Sequence, residues 1–309
     1  MNTKYPLIQG PMSWNTDARL VAAVANAGGL GVLGPNAGQT VLTRNPKETA
    51  ERMRSEIRKT KKLTSQSFGI NIISTGEQND KVNPFFEALL KVAGEEEVKY
   101  YVIIGEVNKT LFDKIKDSGG VIIFRPVTPT PKIMQEAQSL GADLLVATGY
   151  DEGGGLPSKS LGTFTTIPTM VDSVSIPVLA AGGINDSRGV NAALALGAEG
   201  VFIGTRFIAT QESPSAIETK TAIVNSGYED MDLIGDTLRS ILTKKAQTIL
   251  RKYKNNEDTS SDVLGGFRTG MLEGKIDEGI ISVNTGVDII KDIPSVNELI
   301  ERLFENQAF

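Results

Sequence analysis

The chain of 309 residues contains no cysteine and no histidine. Without cysteine it has no disulfides, no thiolate nucleophile and no Cys-ligated metal. Without histidine it lacks the commonest general base and the commonest transition-metal ligand. We therefore expect no metal site, and any chemistry depends on Asp, Glu, Lys, Tyr, Ser or Thr side chains or on a bound cofactor.

An excess of basic charge and long apolar runs are also missing. The 32 Lys and Arg residues are outnumbered by 37 Asp and Glu residues, so the net charge is −5. Nucleic-acid and anionic-membrane partners both require a basic face, and we expect neither partner. The first ten residues do not resemble a signal peptide, and no run of about 18 apolar residues follows. The composition predicts a cytoplasmic protein that acts on a small molecule.

Eight short runs rich in Val, Ile and Leu alternate with segments of helical periodicity. The runs are continuously apolar, which is typical of parallel strands that are buried on both faces. Eight strand–helix units are the number that closes a (β/α)₈ TIM barrel, and we predict this fold. An open doubly wound sheet is the alternative, which the first turn (10-GPMSWNTD-17) disfavours because it has no G-x-G-x-x-G pattern. We predict strands at residues 6–10, 30–34, 68–73, 101–106, 121–127, 142–149, 177–183 and 200–207.

The composition of the sequence changes after Phe207. Residues 213–278 are more charged and poor in strand signals, and we predict a mostly helical insertion or lid that includes a helix over 235–258. Residues 1–212 and 279–309 then form the barrel, whose wall is completed by a helix at 294–304. The sequence leaves open whether the insertion covers the barrel mouth and whether the protein forms a homodimer.

The ends of the seventh and eighth strands are rich in glycine. Gly182 and Gly183 follow one strand, and Gly204 and Thr205 follow the next. Active sites of TIM barrels lie at the carboxyl ends of the strands, and phosphate is commonly bound after strands seven and eight. Exposed backbone amides there can hold a phosphate group, and the Thr205 hydroxyl can add a contact.

Several segments of the barrel resemble the nitronate monooxygenase family, formerly called 2-nitropropane dioxygenases, which also includes the flavin-dependent enoyl-acyl-carrier-protein reductases. The resemblance covers residues 5 to about 213 and implies a TIM barrel that binds FMN with its phosphate after strands seven and eight. It is carried by 7-LIQGPMSW-14, 26-NAGGLGVLG-34, 69-GINI-72, 177-PVLAAGGINDSRGVNAALALGAEGVFIGTRF-207 and 210-TQES-213.

The resemblance also implies a set of cofactor-binding residues. Gly183 and the turn 202-FIGT-205 would contact the phosphate, and Asn71 would lie near the flavin ring. Asn71 could instead cap a loop, and Met12 could be ordinary core packing. Thr148 stands where the family usually has glutamine. The full set is Gly10, Pro11, Met12, Asn71, Thr148, Gly153, Gly154, Gly182, Gly183, Phe202, Ile203, Gly204 and Thr205.

The loop after the sixth strand departs from the family pattern. Family members usually read acidic-small-Gly-Gly-His, whereas this chain reads 151-DEGGG-155, with Gly155 at the histidine position. A carboxylate in a partly apolar site can have its pKa raised toward neutrality, so Asp151 and Glu152 are the candidate catalytic residues. The alternative is structural: Asp151 binds loop amides and Glu152 faces water.

Three functions remain open from the sequence. The first is an FMN-dependent oxidoreductase that oxidises alkyl nitronates with O₂, a reaction that needs no base. The second is an NAD(P)H-dependent flavin reductase of enoyl thioesters or quinones. The third, suggested by the missing histidine, is a barrel that binds FMN without turnover. A site for a sugar phosphate or nucleotide is disfavoured, and the roles of Arg125 and Arg206 stay open.

Overall fold

The computed structural model describes residues 3–76, 83–263, 265–305 and 307. In this part of the chain eight parallel strands form one sheet, hydrogen-bonded in the order β1-β8-β7-β6-β5-β4-β3-β2. Their bounds are β1 (Leu7–Gln9), β2 (Val32–Leu33), β3 (Gly69–Ser74), β4 (Tyr100–Gly105), β5 (Val121–Pro126), β6 (Leu144–Thr148), β7 (Val178–Ala181) and β8 (Gly200–Ile203).

The two edges of this sheet meet through Leu30, two residues before β2. Ile8 of β1 forms a parallel bridge with Leu30. The Gln9 amide donates to the Leu30 carbonyl, and the Leu30 amide donates to the Leu7 carbonyl, both at 2.9 Å. The contact joins the first strand to the second, so the sheet closes as the predicted (β/α)₈ barrel.

Helices connect successive strands and form the outer layer. Asp17 caps the first of them by accepting from the Leu20 amide. The Asn-Pro and Thr-Pro pairs at residues 83–84 and 130–131 begin two others, as their sequence predicts. The helices are α1 (Ala18–Asn26), α2 (Pro46–Leu63), α3 (Pro84–Glu95), α4 (Lys109–Asp117), α5 (Pro131–Ser139), α6 (Thr163–Val171), α7 (Ser187–Ala195) and the short α8 (Thr205–Ile208).

Apolar side chains fill both sides of the strands. One layer packs between the sheet and the helices, and the other fills the interior of the barrel. This double burial explains why the strand sequences are continuously apolar. The interior layer consists of Ile8, Leu30, Val32, Val102, Ile123, Val146, Leu179, Ala181 and Phe202.

Two of the predicted elements are wrong in part. The strand predicted over 200–207 ends at Ile203, because Gly204 leaves the extended conformation (φ −109°, ψ −78°) and α8 follows. The helix predicted over 235–258 begins only at Lys244, and the residues before it form a strand. Leu238 and Ile241 are three residues apart, a spacing that fits an apolar helix face as well as a buried strand.

The segment between the barrel's last strand and its last helix combines helices with a β hairpin, which the sequence analysis does not anticipate. The two strands of the hairpin are antiparallel. After the segment, α12 (Val296–Leu303) packs against α1 and α7, where it completes the barrel wall. The elements of the segment are α9 (Ile217–Asn225), β9 (Met231–Gly235), β10 (Leu238–Ile241), α10 (Lys244–Lys254) and α11 (Ser260–Val263).

Candidate functional site

A cavity of about 290 Å³ lies at the carboxyl ends of the barrel strands, and we call it the mouth cavity. Its volume is at the lower end of the range for ligand pockets, roughly 300–1,000 Å³. Its floor includes Ile104, Ala181 and Phe202 from the strands. Phe267 and Met271, from the segment after the last strand, line it as well, so this segment covers part of the barrel mouth.

One side of the cavity is built from the turns after β7 and β8, which we call the glycine rim (residues 182–184 and 203–205). Gly182 and Gly183 have positive φ angles of 106° and 72°, which glycine adopts readily. The backbone hydrogen bonds of the described loops include none donated by the Gly183 or Gly204 amides. A rim with unpaired amides that borders a cavity is suited to bind an anion such as a phosphate group.

The Thr205 hydroxyl of the glycine rim already has a partner in the protein. It accepts a hydrogen bond from the Asn284 amide at 3.1 Å. Its own proton remains able to donate to a ligand. This contact also ties the rim to the chain segment that follows the hairpin.

The end of β1 forms the next part of the cavity wall, with Gly10, Pro11 and Met12 among the lining residues. The Gly10 amide donates to the Ile203 carbonyl at 2.9 Å. A Cβ at Gly10 would lie 2.6 Å from the Phe202 ring, so a side chain does not fit there. Met12 borders the cavity and also packs against two core clusters.

The loop after β6 (residues 149–156, the β6 loop) is held in place by the hairpin and by residues 282–285. The Leu156 amide donates to the Thr237 carbonyl at 3.0 Å, and the Gly154 amide donates to the Ser282 hydroxyl at 2.8 Å. A Cβ at Gly153 would lie 2.7 Å from the Val283 carbonyl carbon. The close approach of these chain segments explains why the loop needs glycine.

The two carboxylates of the β6 loop have different environments. Asp151 accepts from the Thr163 amide at 2.6 Å, and its other oxygen lies 3.3 Å from the Thr285 hydroxyl. It stands in for an N-cap side chain of α6, whose own N-cap residue is Gly162. Asp151 is not among the residues that line the mouth cavity. Its contacts fit the structural role considered in the sequence analysis.

Glu152, in contrast, lines the mouth cavity and is only 7% exposed. The expectation that it faces water is therefore wrong. Its Oε2 atom accepts from the Arg125 guanidinium, while its Oε1 atom is buried and has no hydrogen-bond partner within the described residues. Burial raises the pKa of the Glu152 carboxyl from its ordinary value of 4.5 to about 7, although the positive charges of Arg125 and Arg239 oppose the rise.

Two arginines hold Glu152 from different parts of the chain. Arg125, the inward-facing residue near the end of β5, also donates from Nε to the Thr148 hydroxyl at 3.1 Å. Arg239 of β10 donates to the backbone carbonyls of Glu152 and Tyr150, and its guanidinium lies 5.4 Å from the Tyr150 ring centroid. Arg206 has no part in this cluster, because it is paired with Asp292 outside the mouth cavity.

Two of the predicted cofactor residues do not line the mouth cavity. The Thr148 hydroxyl is held by Arg125, and the Asn71 amide donates to the Val102 carbonyl at 2.8 Å. Asn71 instead borders a second cavity of about 310 Å³ between the β2 and β3 ends, whose other lining residues include Leu42 and Phe86. The other eleven predicted cofactor residues, from Gly10 to Thr205, line the mouth cavity.

The comparison with known protein families agrees with this arrangement. The model of the nitronate monooxygenase family matches residues 1–306. The chain belongs to the nitronate monooxygenase family. As a member of this family it is an oxidoreductase.

Individual relatives support the same assignment. A probable nitronate monooxygenase of Staphylococcus haemolyticus (strain JCSC1435) is 32% identical, with 83% of this chain and 80% of that protein covered. FabK of Thermotoga maritima has a solved structure with a TM-score of 0.84 and 30% identity, covering 97% of this chain and 92% of that chain. The solved structure of nitroalkane oxidase from Streptomyces ansochromogenes matches with a TM-score of 0.80 and 22% identity. The match covers 98% of this chain and 95% of that chain, and it shows that the two share a fold.

The position at which the family usually has histidine is open in this structure. Gly155 lines the mouth cavity, and a Cβ added there would meet no atom within 4 Å. The surrounding chain has therefore not closed over the missing side chain. Glu152, three residues before Gly155, is the ionisable residue of this loop that lines the cavity. It occupies the position where the family usually has a small residue.

Sequence reasoning missed Arg239, Phe267 and Met271. All three lie in the segment read as a mostly helical insertion, and their positions depend on how that segment folds over the barrel. No local motif marks them. Within the described residues, no helix has the length and apolar character needed to cross a membrane.

Proposed function

We propose that this nitronate monooxygenase family member is an FMN-dependent enzyme that oxidises alkyl nitronates with O₂. The observation that carries the proposal is the glycine rim, where the Gly183 and Gly204 amides, which donate no backbone hydrogen bond in the described loops, border a partly covered cavity with both polar and apolar lining. The residues present fit the cofactor: an anionic phosphate suits the rim amides, and a flat aromatic ring system suits the apolar lining beside it.

The chain's own residues would divide the work of binding. The rim amides and the Thr205 hydroxyl would hold the phosphate group. Met12 and Phe202 would provide apolar contacts, and Phe267 and Met271 would shield the cavity from water. Arg125 offers positive charge to an anionic nitronate. Bound FMN would supply the redox chemistry between the nitronate and O₂.

The first experiment is the visible spectrum of the purified protein. We expect a yellow protein that releases FMN on denaturation in a ratio near one per chain. With a preformed alkyl nitronate we expect oxygen consumption that a heat-denatured sample does not show. A colourless protein that fails to bind added FMN at micromolar concentration would refute the proposal.

The similarity to FabK favours a second candidate, the NAD(P)H-dependent reduction of enoyl thioesters or quinones. The two candidates differ in how the flavin is reduced. Anaerobic mixing with NADH or NADPH should bleach the flavin absorption near 450 nm if the second candidate is right. If only a nitronate bleaches the band, the first candidate stands.

A further inference from the structure

The two carboxyl oxygens of Glu152 are used unequally. Oε2 is paired with Arg125, whereas Oε1 is buried without a hydrogen-bond partner in the described part of the chain. A buried polar atom without a partner has lost its hydrogen bonds to water and gained none in return, which destabilises the folded chain. Glu152 lines the mouth cavity, and Oε1 would meet a ligand there once the carboxyl turns from its covered position.

We propose that Glu152 is the proton acceptor that allows this enzyme to use neutral nitroalkanes, in place of the absent histidine. The inference rests on the proposed function and extends its substrate class from nitronates to their conjugate acids. The α-C–H bond of the nitroalkane breaks, its electron pair moves onto the nitro group, and the proton forms an O–H bond at Oε1. This step produces a nitronate without oxidation or reduction, so it needs neither O₂ nor electron transfer.

The charged groups around Glu152 suit both protonation states. Arg125 from β5 pairs with Oε2, and Oε2 can still accept this hydrogen bond when Oε1 carries a proton. Arg239 from β10 faces the same residue and holds its backbone carbonyl. Asp151 and Tyr150 are its neighbours in the β6 loop. With a pKa of about 7, a substantial fraction of Glu152 is ionised at neutral pH and can take up a proton.

Neither neighbouring position offers an equivalent base. Both oxygens of Asp151 face hydrogen-bond donors of the protein, Thr163 and Thr285, outside the cavity lining. Gly155 has no side chain, but the space beside it is open. The loop therefore has a carboxylate at position 152 and room for an imidazole at position 155. A histidine introduced at position 155 can be tested as a replacement for the Glu152 carboxylate.

The test measures exchange of the α-hydrogens of nitroethane for deuterium in D₂O under argon, followed by proton NMR. It is run on both the FMN-free and the FMN-loaded protein. We expect wild type to accelerate exchange over buffer, with a rate that rises with pH through the region near 7. Glu152→Gln should lower the protein-dependent rate at least about 100-fold, in the range of general-base effects. The matched control Asp151→Asn should stay within about threefold of wild type.

A second variant separates loss of the base from damage to the loop. Adding Gly155→His to Glu152→Gln should restore exchange at least about tenfold, because the imidazole enters open space beside the cavity. The pH midpoint should then move to the range of histidine, near 6.5. Infrared spectra near pH 6 should show a protonated carboxyl band in wild type that is missing in Glu152→Gln.

The outcomes decide the inference separately from the proposed function. Wild type that does not accelerate exchange, or a folded Glu152→Gln protein that loses less than tenfold, overturns the role of Glu152. Should Glu152→Gln fail to fold, the wild-type rate and its pH profile still decide. Oxygen consumption by the wild-type protein with a preformed nitronate tests the proposed function by itself.

Discussion

The glycine rim and the β6 loop lie on two sides of one cavity but are built in different ways. The rim presents backbone amides from two adjacent strand ends, and its glycines leave those amides uncovered. The β6 loop presents side chains that depend on partners from distant parts of the chain, Arg125 and Arg239. The comparison shows how one cavity can combine a preformed anion site with a tunable ionisable group.

The two sides also carry different energetic consequences. Backbone amides at a rim are neutral, and water or a ligand can satisfy them. Glu152 is buried with Arg125, and removing water from two charges costs energy that their attraction only partly offsets. The rim should therefore tolerate pH changes, while the β6 loop should respond to them.

The largest expected effect comes from filling the glycine rim. Gly204→Leu should weaken FMN binding at least about 1,000-fold, equivalent to about 4 kcal/mol, because the side chain would occupy the space beside the rim amides. The backbone should accept it, since φ is negative and the nearest atom to an added Cβ is Met12 Sδ at 3.7 Å. FMN titration by fluorescence quenching measures the effect.

The matched control for this variant is Gly235→Leu in the hairpin. An added Cβ there meets no atom within 4 Å, and the residue does not line the mouth cavity. Equal FMN binding by Gly204→Leu and Gly235→Leu would show that the rim does not hold the cofactor.

The next effect comes from removing the clamp on the β6 loop. Arg239→Met should lower the free energy of unfolding by roughly 3–4 kcal/mol, because two carbonyls lose a charged donor. It should also raise the pKa of Glu152 further, since Arg239 favours the ionised carboxylate. Urea denaturation and the pH dependence of nitroethane exchange measure the two effects. An unchanged stability would mean that the hairpin does not clamp the loop.

A smaller effect is expected in the pH dependence of stability. Folded wild type keeps the Glu152 proton up to about pH 7, whereas the unfolded chain releases it near 4.5, so wild-type stability should fall as pH rises through this interval. Ionisation of Glu152 does not change the free energy of unfolding below this pH interval. Above the interval it lowers the free energy of unfolding by its full amount, on the order of 3 kcal/mol. Glu152→Gln removes this dependence. Parallel urea-denaturation curves for both proteins from pH 4.5 to 7.5 would contradict the prediction.

The smallest effect separates the two neighbouring carboxylates. Asp151→Ala should cost about 1 kcal/mol of stability, the usual loss when a helix cap is removed, because the Thr163 amide loses its acceptor. The pH midpoint of nitroethane exchange should stay at its wild-type value. A shifted midpoint would show that Asp151 takes part in the proton transfer.

The fold and the glycine rim could be predicted from sequence because their signals are local. Continuous apolar runs identify the strands, and glycines after the seventh and eighth runs mark adjacent ends of a closed barrel. The environment of Glu152 could not be predicted in this way. Its burial depends on β10, which carries Arg239 and lies within the range predicted as helix.

The barrel, the absence of histidine and cysteine chemistry, and the glycines of the rim follow from the amino-acid sequence, because backbone geometry and composition act over short distances. Which of two adjacent carboxylates borders the cavity depends on the folded chain. Asp151 turns to the start of α6, and Glu152 is enclosed by Arg125 and Arg239, which lie 27 and 87 residues away along the chain. Burial and charge pairing of this kind arise from contacts that no local pattern records.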